Sequence, residues 1–406
     1  MAVPDRASVR AVSLALAACL LVFAAACAPL TESEPPPPTE PALSLRPVSF
    51  DALPGWAADR HGEALAALLH SCRTMLRQPA DRRVGGQVPR TIGDWHGACE
   101  AASAISPRDH RAARLYFEDW FSPFEVTDSG APGGLFTGYF EPELDGALVP
   151  DNRYHVPLFA RPRDLVSVDL GAFREDLAGT RIAGRVDGAR LVPYHTRAEI
   201  DAGALASEGV ALVWVDDPVD AFFLQIQGSG RIRLADGSYR RIGYAAANGH
   251  SYYAIGRTLI ATGEVAREDM SMQAIRHWLE TNPARADALM HENASYVFFR
   301  WVEGLDAALG PLGAQGVPLT AGRSLAVDRR FLAFGLPIWL EAGLPRRPGV
   351  PAEKTRRLVI AQDTGGAIRG VVRGDLFIGT GDGPGEIAGR MRESGRYWAL
   401  LPRLGF

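Results

Sequence analysis

The sequence contains few of the residues on which metal and redox sites depend. It has four cysteines in 406 residues, and its nine histidines are scattered along the chain. No CxxC pair occurs, and HENAS (291–295) has no second histidine four residues further on, as a helical zinc site requires. Asp363, Asp375 and Asp382 do not follow the spacing of a calcium-binding loop. We therefore expect neither a metal ion nor another cofactor.

A block of like charge is also absent. The 43 lysines and arginines are interspersed with 47 aspartates and glutamates, and the formal net charge is −4. Without a basic patch, a nucleic-acid partner has no electrostatic support. The hydrophobic share of 47% and the charged share of 22% are typical of a soluble globular protein. The length leaves room for two or three domains.

Two glycine-rich stretches lack the residues that would make them catalytic or phosphate-binding motifs. QGSGR places Ser229 between glycines, but it is not a G-x-S-x-G motif and no strand-turn-helix context follows it. GTGDGPG lacks the Lys-Ser/Thr end of a phosphate loop. We interpret QGSGR as a tight turn or bulge between strands, and a binding role for that loop stays open.

The first residues have the pattern of an export signal. Arg6 and Arg10 precede the apolar run Ala11–Ala26, which is too short and too poor in large side chains for a membrane span. Small residues lead to Cys27 in VFAAACAPL, as in the cleavage box of bacterial lipoproteins, although Ala24 stands where leucine is usual. We predict lipidation of Cys27, with ordinary cleavage nearby as the alternative. The proline-rich stretch TESEPPPPTEPA (31–42) predicts an extended spacer.

The remaining cysteines fit an exported protein. If Cys19 is removed with the signal and Cys27 is lipidated, Cys72 and Cys99 are left. A pair in an oxidising compartment can form a disulfide, and we predict one here. Two buried free thiols are the alternative.

Hydrophobic periodicity divides the rest of the chain into a helical and a β-rich part. Apolar residues recur at spacings of three and four between residues 57 and 120. From about residue 135, short apolar runs are interrupted by Gly, Asp and Pro, which predicts strands. Leucine and isoleucine alternate with glutamine in FLQIQGSGRIRL (223–234), which we also interpret as strands, and ADGS (235–238) predicts a hairpin turn. A helix is predicted around Met270–Leu289, and Pro283 marks its limit or a break before a second turn of helix.

Glycines surround three aspartates in AQDTGGAIRGVVRGDLFIGTGD (361–382). Asp363 and Asp382 precede or lie within turn-forming residues. Asp375 differs, because it is followed by the apolar run Leu376–Ile378. Partial burial and a second carboxylate would raise the pKa of such an aspartate, so that it stays protonated near neutral pH and can donate a proton. Composition alone leaves a turn residue and an acid catalyst as alternatives.

Seven motifs, in order along the chain, resemble those of the membrane-bound lytic murein transglycosylase A family. Together they cover roughly residues 110–402. Two small departures occur: Ala247 stands where the family usually carries glutamine, and Ala294 where it carries proline. The motifs are FTGYFEP (136–142), FFLQIQGSGRI (222–232), GYAAANGHSYYAIGRTLI (243–260), MSMQAIRHWLETNP (270–283), NASYVFFR (293–300), GVPLTAGRSLAVD (316–328) and AQDTGGAIRG…GDLFIGTG (361–381).

The resemblance implies a mainly β fold with N-terminal helices. Its centre would be a double-psi β-barrel into which a second β-domain is inserted, with a groove between the two. We expect the following parts in chain order: a lipoprotein signal peptide (1–27), a proline-rich tether (28–46), a helical N-terminal segment with the start of the barrel domain (47–137), the inserted β-domain (138–300) and the barrel domain (301–406).

The resemblance also assigns roles to carboxylates. The three aspartates that characterise the family's C-terminal domain fall, by motif, on Asp328, Asp363 and Asp375, and the family's catalytic acid corresponds to Asp375. Asp363 and Asp328 would support it by raising its pKa or by orienting its neighbours. By the same motifs Asp382 is a turn residue.

Polar residues of two other motifs are candidates for the sugar groove. Thr137 lies in FTGYFEP, and Gln225, Gln227 and Ser229 lie in LQIQGSG. The alternative for each is a strand residue whose polar side chain is hydrogen-bonded to the neighbouring backbone. Tyr139 and Phe140 fit either a sugar-stacking role or the core.

The implied function is that of a peptidoglycan lytic exotransglycosylase. It would cleave the bond between N-acetylmuramic acid and N-acetylglucosamine without water, with Asp375 acting first as acid and then as base, and leave 1,6-anhydro ends. The partners would be peptidoglycan glycan strands and outer-membrane lipid around the Cys27 anchor, which places the protein in the periplasm. Two alternatives stay open: a hydrolase that uses Asp375 as acid and Asp363 as base, and a non-catalytic wall-binding lipoprotein.

Overall fold

The computed structural model describes residues 41–177, 180–345 and 352–404. The predicted signal peptide, the lipidation site Cys27 and most of the tether lie outside these ranges. Within them, no helix has the length and apolar character needed to cross a membrane.

Strands outnumber helices in the described ranges, so the fold is mainly β with helices, as predicted. The strands are β1 (Leu43–Pro47), β2 (Phe121–Asp128), β3 (Gly134–Glu141), β4 (Glu143–Ala147), β5 (Val156–Phe159), β6 (Val166–Asp169), β7 (Arg181–Asp187), β8 (Arg190–Pro193), β9 (Ala211–Val215), β10 (Ser229–Arg233), β11 (Tyr239–Ala247), β12 (Val297–Val302), β13 (Ser324–Val327), β14 (Pro337–Leu344), β15 (Glu353–Asp363), β16 (Arg373–Thr380) and β17 (Arg392–Pro402). The helices are α1 (His61–Met75), α2 (Gly93–Ser103), α3 (His110–Trp120), α4 (Arg197–Glu199), α5 (Pro218–Gln227), α6 (Gly256–Ala261), α7 (Met272–Thr281), α8 (Pro283–His291) and α9 (Asp382–Ala388).

The three N-terminal helices form where the apolar spacing of three and four predicts them. The buried face of α1 carries Leu65, Leu68 and Cys72, and it packs against α2, α3 and β15. Asp109 begins α3 by accepting a hydrogen bond from the Ala112 backbone amide at 2.9 Å. A disulfide between Cys72 and Cys99 joins α1 to α2.

The core sheet has eight strands in the order β1-β2-β17-β14-β15-β13-β16-β3. In addition, β3 pairs with β17, so the strand at one end of this order returns to the third strand from the other end. The sheet and the helices share one hydrophobic core, which includes the fully buried side chains of Phe136, Trp339 and Tyr397.

A second, six-stranded sheet is built from the chain between β3 and β13. Its order is β12-β11-β10-β4-β9-β5, and β10 and β11 form the hairpin that ADGS predicts. A three-stranded sheet, β6-β7-β8, accompanies it. Helices α7 and α8 confirm the predicted helix, and Pro283 is the first residue of α8, where a missing amide hydrogen is tolerated.

The two larger sheets are joined at Glu141, the last residue of β3. Its side chain is 0% exposed. It accepts hydrogen bonds from Arg231 at 3.0 Å, from Arg241 at 2.6 Å and from the Thr380 hydroxyl at 2.8 Å. Because Arg231 and Arg241 belong to β10 and β11 and Thr380 to β16, this buried ionic cluster connects both sheets near the candidate site.

One predicted boundary and one predicted strand were wrong. The predicted tether extended to residue 46, but residues 43–46 belong to β1, which pairs with β2, and Leu43 and Leu45 pack against the core. The predicted strand in FLQIQ is the helix α5. Asp217 accepts hydrogen bonds from the first backbone amides of α5, and Gly228 ends it in the left-handed conformation with φ of 79°.

Candidate active site

Four neighbouring strands of the core sheet place two of the predicted aspartates and Thr137 in one row. In β16, Asp375 lies opposite Ala326 of β13 on one side and opposite Thr137 of β3 on the other. Ala326 in turn lies opposite Asp363 of β15. Residues directly opposite each other share a face of the sheet, and neighbouring strands are about 4.8 Å apart, so the Cα atoms of Asp363 and Asp375 are roughly 10 Å apart.

Among the residues that the structure describes, only one carboxyl oxygen of Asp375 has a hydrogen-bond partner. Asp375 Oδ1 accepts a hydrogen bond from the Thr137 hydroxyl at 2.6 Å. Asp375 Oδ2 has no hydrogen-bond partner among the described residues, and the side chain is only partly buried. Oδ2 is therefore available to an incoming molecule.

The surroundings of Asp375 favour its protonated form. Burial raises its pKa to about 6, against the lowering effects of Arg373 and of the Thr137 hydrogen bond, and the negative charge of Asp363 adds to the rise. A carboxylic acid with this pKa holds a proton at mildly acidic pH and can also accept one near neutrality. These are the properties of a group that serves as acid and base in turn.

Both carboxyl oxygens of Asp363 are occupied by protein donors. Oδ1 accepts the backbone amides of Ala314 at 2.8 Å and Thr364 at 2.9 Å, and Oδ2 accepts the Tyr139 hydroxyl at 2.8 Å. Burial raises the pKa of Asp363, while these three hydrogen bonds oppose the rise. Asp363 thus fixes Tyr139 and adds negative charge beside Asp375.

Asp328 does not join this pair. It is buried, and its oxygens accept hydrogen bonds from the Arg330 guanidinium and from the backbone amides of Arg330 and Gly370. The pKa of Asp328 is lowered, because these hydrogen bonds outweigh the effect of burial. Asp328 therefore holds the start of the chain leading into β16 in place and has no described contact with Asp375.

The predicted groove residues of LQIQGSG lie in different environments. Gln225, in α5, is 6% exposed and contacts the hydroxyl of buried Tyr296, which places it in the interior of the protein rather than on a binding surface. Gln227 accepts a hydrogen bond from the Phe140 backbone amide at 3.1 Å, so it lies beside β3. Ser229 begins β10 and is partly exposed. Only Gln227 and Ser229 of the three keep access to the surface.

Sequence reasoning missed Arg373 and Tyr252. Arg373 donates a hydrogen bond to the Thr137 hydroxyl at 2.8 Å. Tyr252 comes from the loop after β11 and is 39% exposed. It lies near Gly366 in the segment between β15 and β16, where a Cβ added to Gly366 would be 4.0 Å from the Cβ of Tyr252. The sequence feature that could have indicated Tyr252 is the aromatic pair directly after the turn-forming NGHS (248–251). No sequence feature indicated Arg373, because its partner Thr137 lies on another strand.

In the described ranges, no group of three or more His, Cys, Asp or Glu side chains is arranged to hold a metal ion.

Two sequence profiles match the chain. The profile of the MltA specific insert domain matches residues 135–300, and that of the 3D domain matches residues 323–401. The membrane-bound lytic murein transglycosylase A of Escherichia coli (strain K12) is 35% identical over 269 residues. This match covers 65% of the chain and spans 65% of the length of that relative.

Solved structures share both the fold and the sequence. A membrane-bound lytic murein transglycosylase from Agrobacterium tumefaciens is 35% identical, with a TM-score of 0.78 over 89% of this chain and 98% of that one. Escherichia coli MltA with bound chitohexaose is 27% identical, with a TM-score of 0.62 over 88% of this chain and 91% of that one. The fold is thus shared with the lytic murein transglycosylases. The chain belongs to the membrane-bound lytic murein transglycosylase A family, which confirms the resemblance.

Proposed function

We propose that this protein is a peptidoglycan lytic transglycosylase that cleaves the bond between N-acetylmuramic acid and N-acetylglucosamine. One observation carries the proposal beyond family membership. Of the three motif aspartates, Asp375 alone presents a carboxyl oxygen without a partner among the described residues. The chitohexaose bound by the Escherichia coli relative supports a glycan as the substrate class.

The proposed reaction uses one carboxyl group twice. Protonated Asp375 donates its proton to the bridging oxygen, and the bond between that oxygen and muramyl C1 breaks. The muramyl C6 hydroxyl then attacks C1 and gives its proton to the Asp375 carboxylate, which closes the 1,6-anhydro ring and restores the acid. No water is consumed, and the nucleophile is already in place because it belongs to the substrate.

The environment of Asp363 favours this reaction over hydrolysis. A hydrolase with a single displacement needs a second carboxylate with a free oxygen to activate water. Both oxygens of Asp363 are bound by Ala314, Thr364 and Tyr139. We therefore assign Asp363 to holding Tyr139 and maintaining a raised pKa at Asp375, and Asp328 to holding the chain before β16.

Several finer features belong to the same proposal. The ring of pairings that links β3 to both β16 and β17 supports a double-psi β-barrel. A glycan groove between this barrel and the inserted sheet would be lined by Gln227 and Ser229, with Thr137 beside the acid. The names of the membrane-bound relatives support attachment to the cell envelope, for which we propose a Cys27 lipid anchor in the outer membrane. Removal of disaccharides from strand ends, the exo mode of action, is also proposed.

The test is digestion of purified sacculi, with soluble products separated by liquid chromatography and weighed by mass spectrometry. We expect the wild-type protein to release muropeptides lighter by one water than reducing muropeptides, and Asp375→Asn to release none. Asp382→Asn is the matched control, because it makes the same change at an exposed aspartate on the segment after β16. It should retain wild-type release.

Other outcomes would reject the proposal in different ways. Reducing ends from the wild type would make the protein a hydrolase. Full activity of Asp375→Asn would show that another group is the catalytic acid. Sacculus binding without any release by the wild type would leave a wall-binding lipoprotein.

A further inference from the structure

A chain of two hydrogen bonds leads from Arg373 to the carboxyl group of Asp375. Arg373 and Asp375 are two residues apart in β16, so their side chains leave the same face of the sheet. Arg373 Nη2 donates to Thr137 Oγ1 at 2.8 Å, and Thr137 Oγ1 donates to Asp375 Oδ1 at 2.6 Å. Arg373 is held by the backbone carbonyl oxygens of Leu135 and Gly374 as well.

The direction of this chain is fixed by the chemistry of its donors. A guanidinium group carries hydrogens on every nitrogen and has no acceptor, so Arg373 can only donate. Since a lone pair of Thr137 Oγ1 receives that hydrogen bond, the single hydroxyl hydrogen is free to point to Asp375 Oδ1. Oδ1 is the acceptor of that hydrogen in this structure, and a proton placed on Oδ1 would require the hydroxyl hydrogen to turn away.

We propose, on the basis of the function proposed above, that Arg373 is a positioning residue that acts through Thr137 to keep the proton of Asp375 on Oδ2. This is the oxygen without a partner in the described part of the chain, and it is the one that the glycosidic oxygen can reach. The same chain holds the carboxyl group in one orientation, so that Oδ2 donates the first proton of the reaction and accepts the second.

The insertion of Thr137 between the two charges has a chemical reason. Within the described residues, no ion pair of 4.0 Å or less joins Arg373 to Asp375. A direct guanidinium–carboxylate pair would keep the carboxyl group ionised and unable to act as an acid. With a hydroxyl group between them, burial outweighs the positive charge, and the pKa of Asp375 is raised to about 6. When the acid loses its proton, the Thr137 hydrogen bond to the new carboxylate becomes charge-assisted and stronger.

Four variants separate a positioning role from a structural one. Thr137→Val keeps the shape of the side chain but removes the hydroxyl group, and Thr137→Ser restores that group. Arg373→Met removes the fixed donor and the charge. Arg111→Met, at an exposed arginine of α3, is the control for loss of one positive charge.

Two readouts are needed, kinetic constants and the titration of Asp375. We expect Thr137→Val to lower kcat about 10- to 100-fold, which is the effect of losing one hydrogen bond to a charged group, with KM changed less than about twofold. Arg373→Met should lower kcat about 10-fold by the same reasoning. In both variants the pKa of Asp375, followed by the carbon-13 shift of its carboxyl group and assigned with Asp375→Asn, should rise. Thr137→Ser should recover most of the activity that Thr137→Val loses, and Arg111→Met should match the wild type.

The outcomes distinguish this inference from the function on which it rests. An unchanged Asp375 titration and kcat in Thr137→Val and Arg373→Met would refute the positioning role while the transglycosylase stands. A rise in KM alone would make Thr137 a sugar contact and refute it equally. If the wild type released no product, the proposed function would fail, and a shifted titration in the two variants would still establish the hydrogen-bond chain.

Discussion

The buried cluster around Glu141 leads to a specific prediction about stability. Glu141→Gln keeps the side-chain volume, so no cavity forms, but it removes the one carboxylate that Arg231 and Arg241 share. It also replaces one acceptor oxygen by an NH2 group. The hydrogens of that group would point at side chains that are themselves donors: Arg231, Arg241 and Thr380. Partial partners remain: the backbone carbonyl oxygen of Leu309 accepts from Arg241 at 2.7 Å, and Arg231 keeps Glu143 at 3.7 Å and the Ala307 carbonyl oxygen at 2.9 Å.

The magnitude follows from the burial of the groups left behind. Breaking a buried ion pair by removing one partner costs about 3–5 kcal/mol, because the other charge stays buried and unpaired. Glu125→Gln is the matched control, since Glu125 pairs with Arg46, whose side chain is 67% exposed. An exposed pair contributes only about 0–1 kcal/mol.

The assay is urea unfolding, followed in parallel by far-ultraviolet circular dichroism and tryptophan fluorescence. Coincident transitions justify a two-state free energy, and an unchanged slope shows that the denatured state is the same. We expect Glu141→Gln to lose at least about 2 kcal/mol more than Glu125→Gln. Equal losses in the two variants would refute the view that this cluster stabilises the junction of the sheets.

Three further predictions concern pH and the disulfide. In the proposed reaction only protonated Asp375 starts the cleavage, so kcat measured on sacculi should fall as pH rises through about 6, and a rate that rises there would contradict the acid role. A folded-state pKa above the unfolded value means that the stabilising contribution of Asp375 is complete below pH ~4 and lost as pH rises through about 6. Asp375→Asn should therefore melt at a higher temperature than the wild type at pH 8 but not at pH 4 in calorimetry; a difference that is the same at both pH values would count against this. Replacing both Cys72 and Cys99 by serine opens a loop with a sequence separation of 27 and should lower the free energy of unfolding by about 3–4 kcal/mol, with no further loss on adding reductant.

Much of the architecture was predictable because local signals and tertiary structure agree. The apolar stripe of α1 and the proline at the start of α8 mark the same elements in the sequence and in the structure. The stretch FLQIQ misled because leucine and isoleucine alternate with glutamine, a strand pattern, while the capping residues Asp217 and Gly228 indicate a helix. Here the helix end signals were stronger than the alternation. In addition, Phe222 and Phe223 in the middle of α5 pack into a hydrophobic cluster with residues of α7 and α8.

The candidate site was predictable only where a motif named a residue. Asp375 and Asp363 were identified by motif, but their relation depends on β13, which lies between their strands and places Ala326 opposite both. Arg373 could not be assigned, because its contact with Thr137 joins segments that are 236 residues apart. Strand register across such a separation depends on how all the intervening elements pack, and no local pattern encodes it.

The most direct test of the central claim is to digest sacculi in water enriched in oxygen-18. Intramolecular attack by the muramyl C6 hydroxyl consumes no water, so we predict that the new muramyl ends carry no oxygen-18 and are lighter by one water than reducing ends. The label must be read at once and in the cold, because free reducing ends exchange oxygen with the solvent. One oxygen-18 atom at each new muramyl end would contradict the account, since it would show that water and not the sugar is the nucleophile.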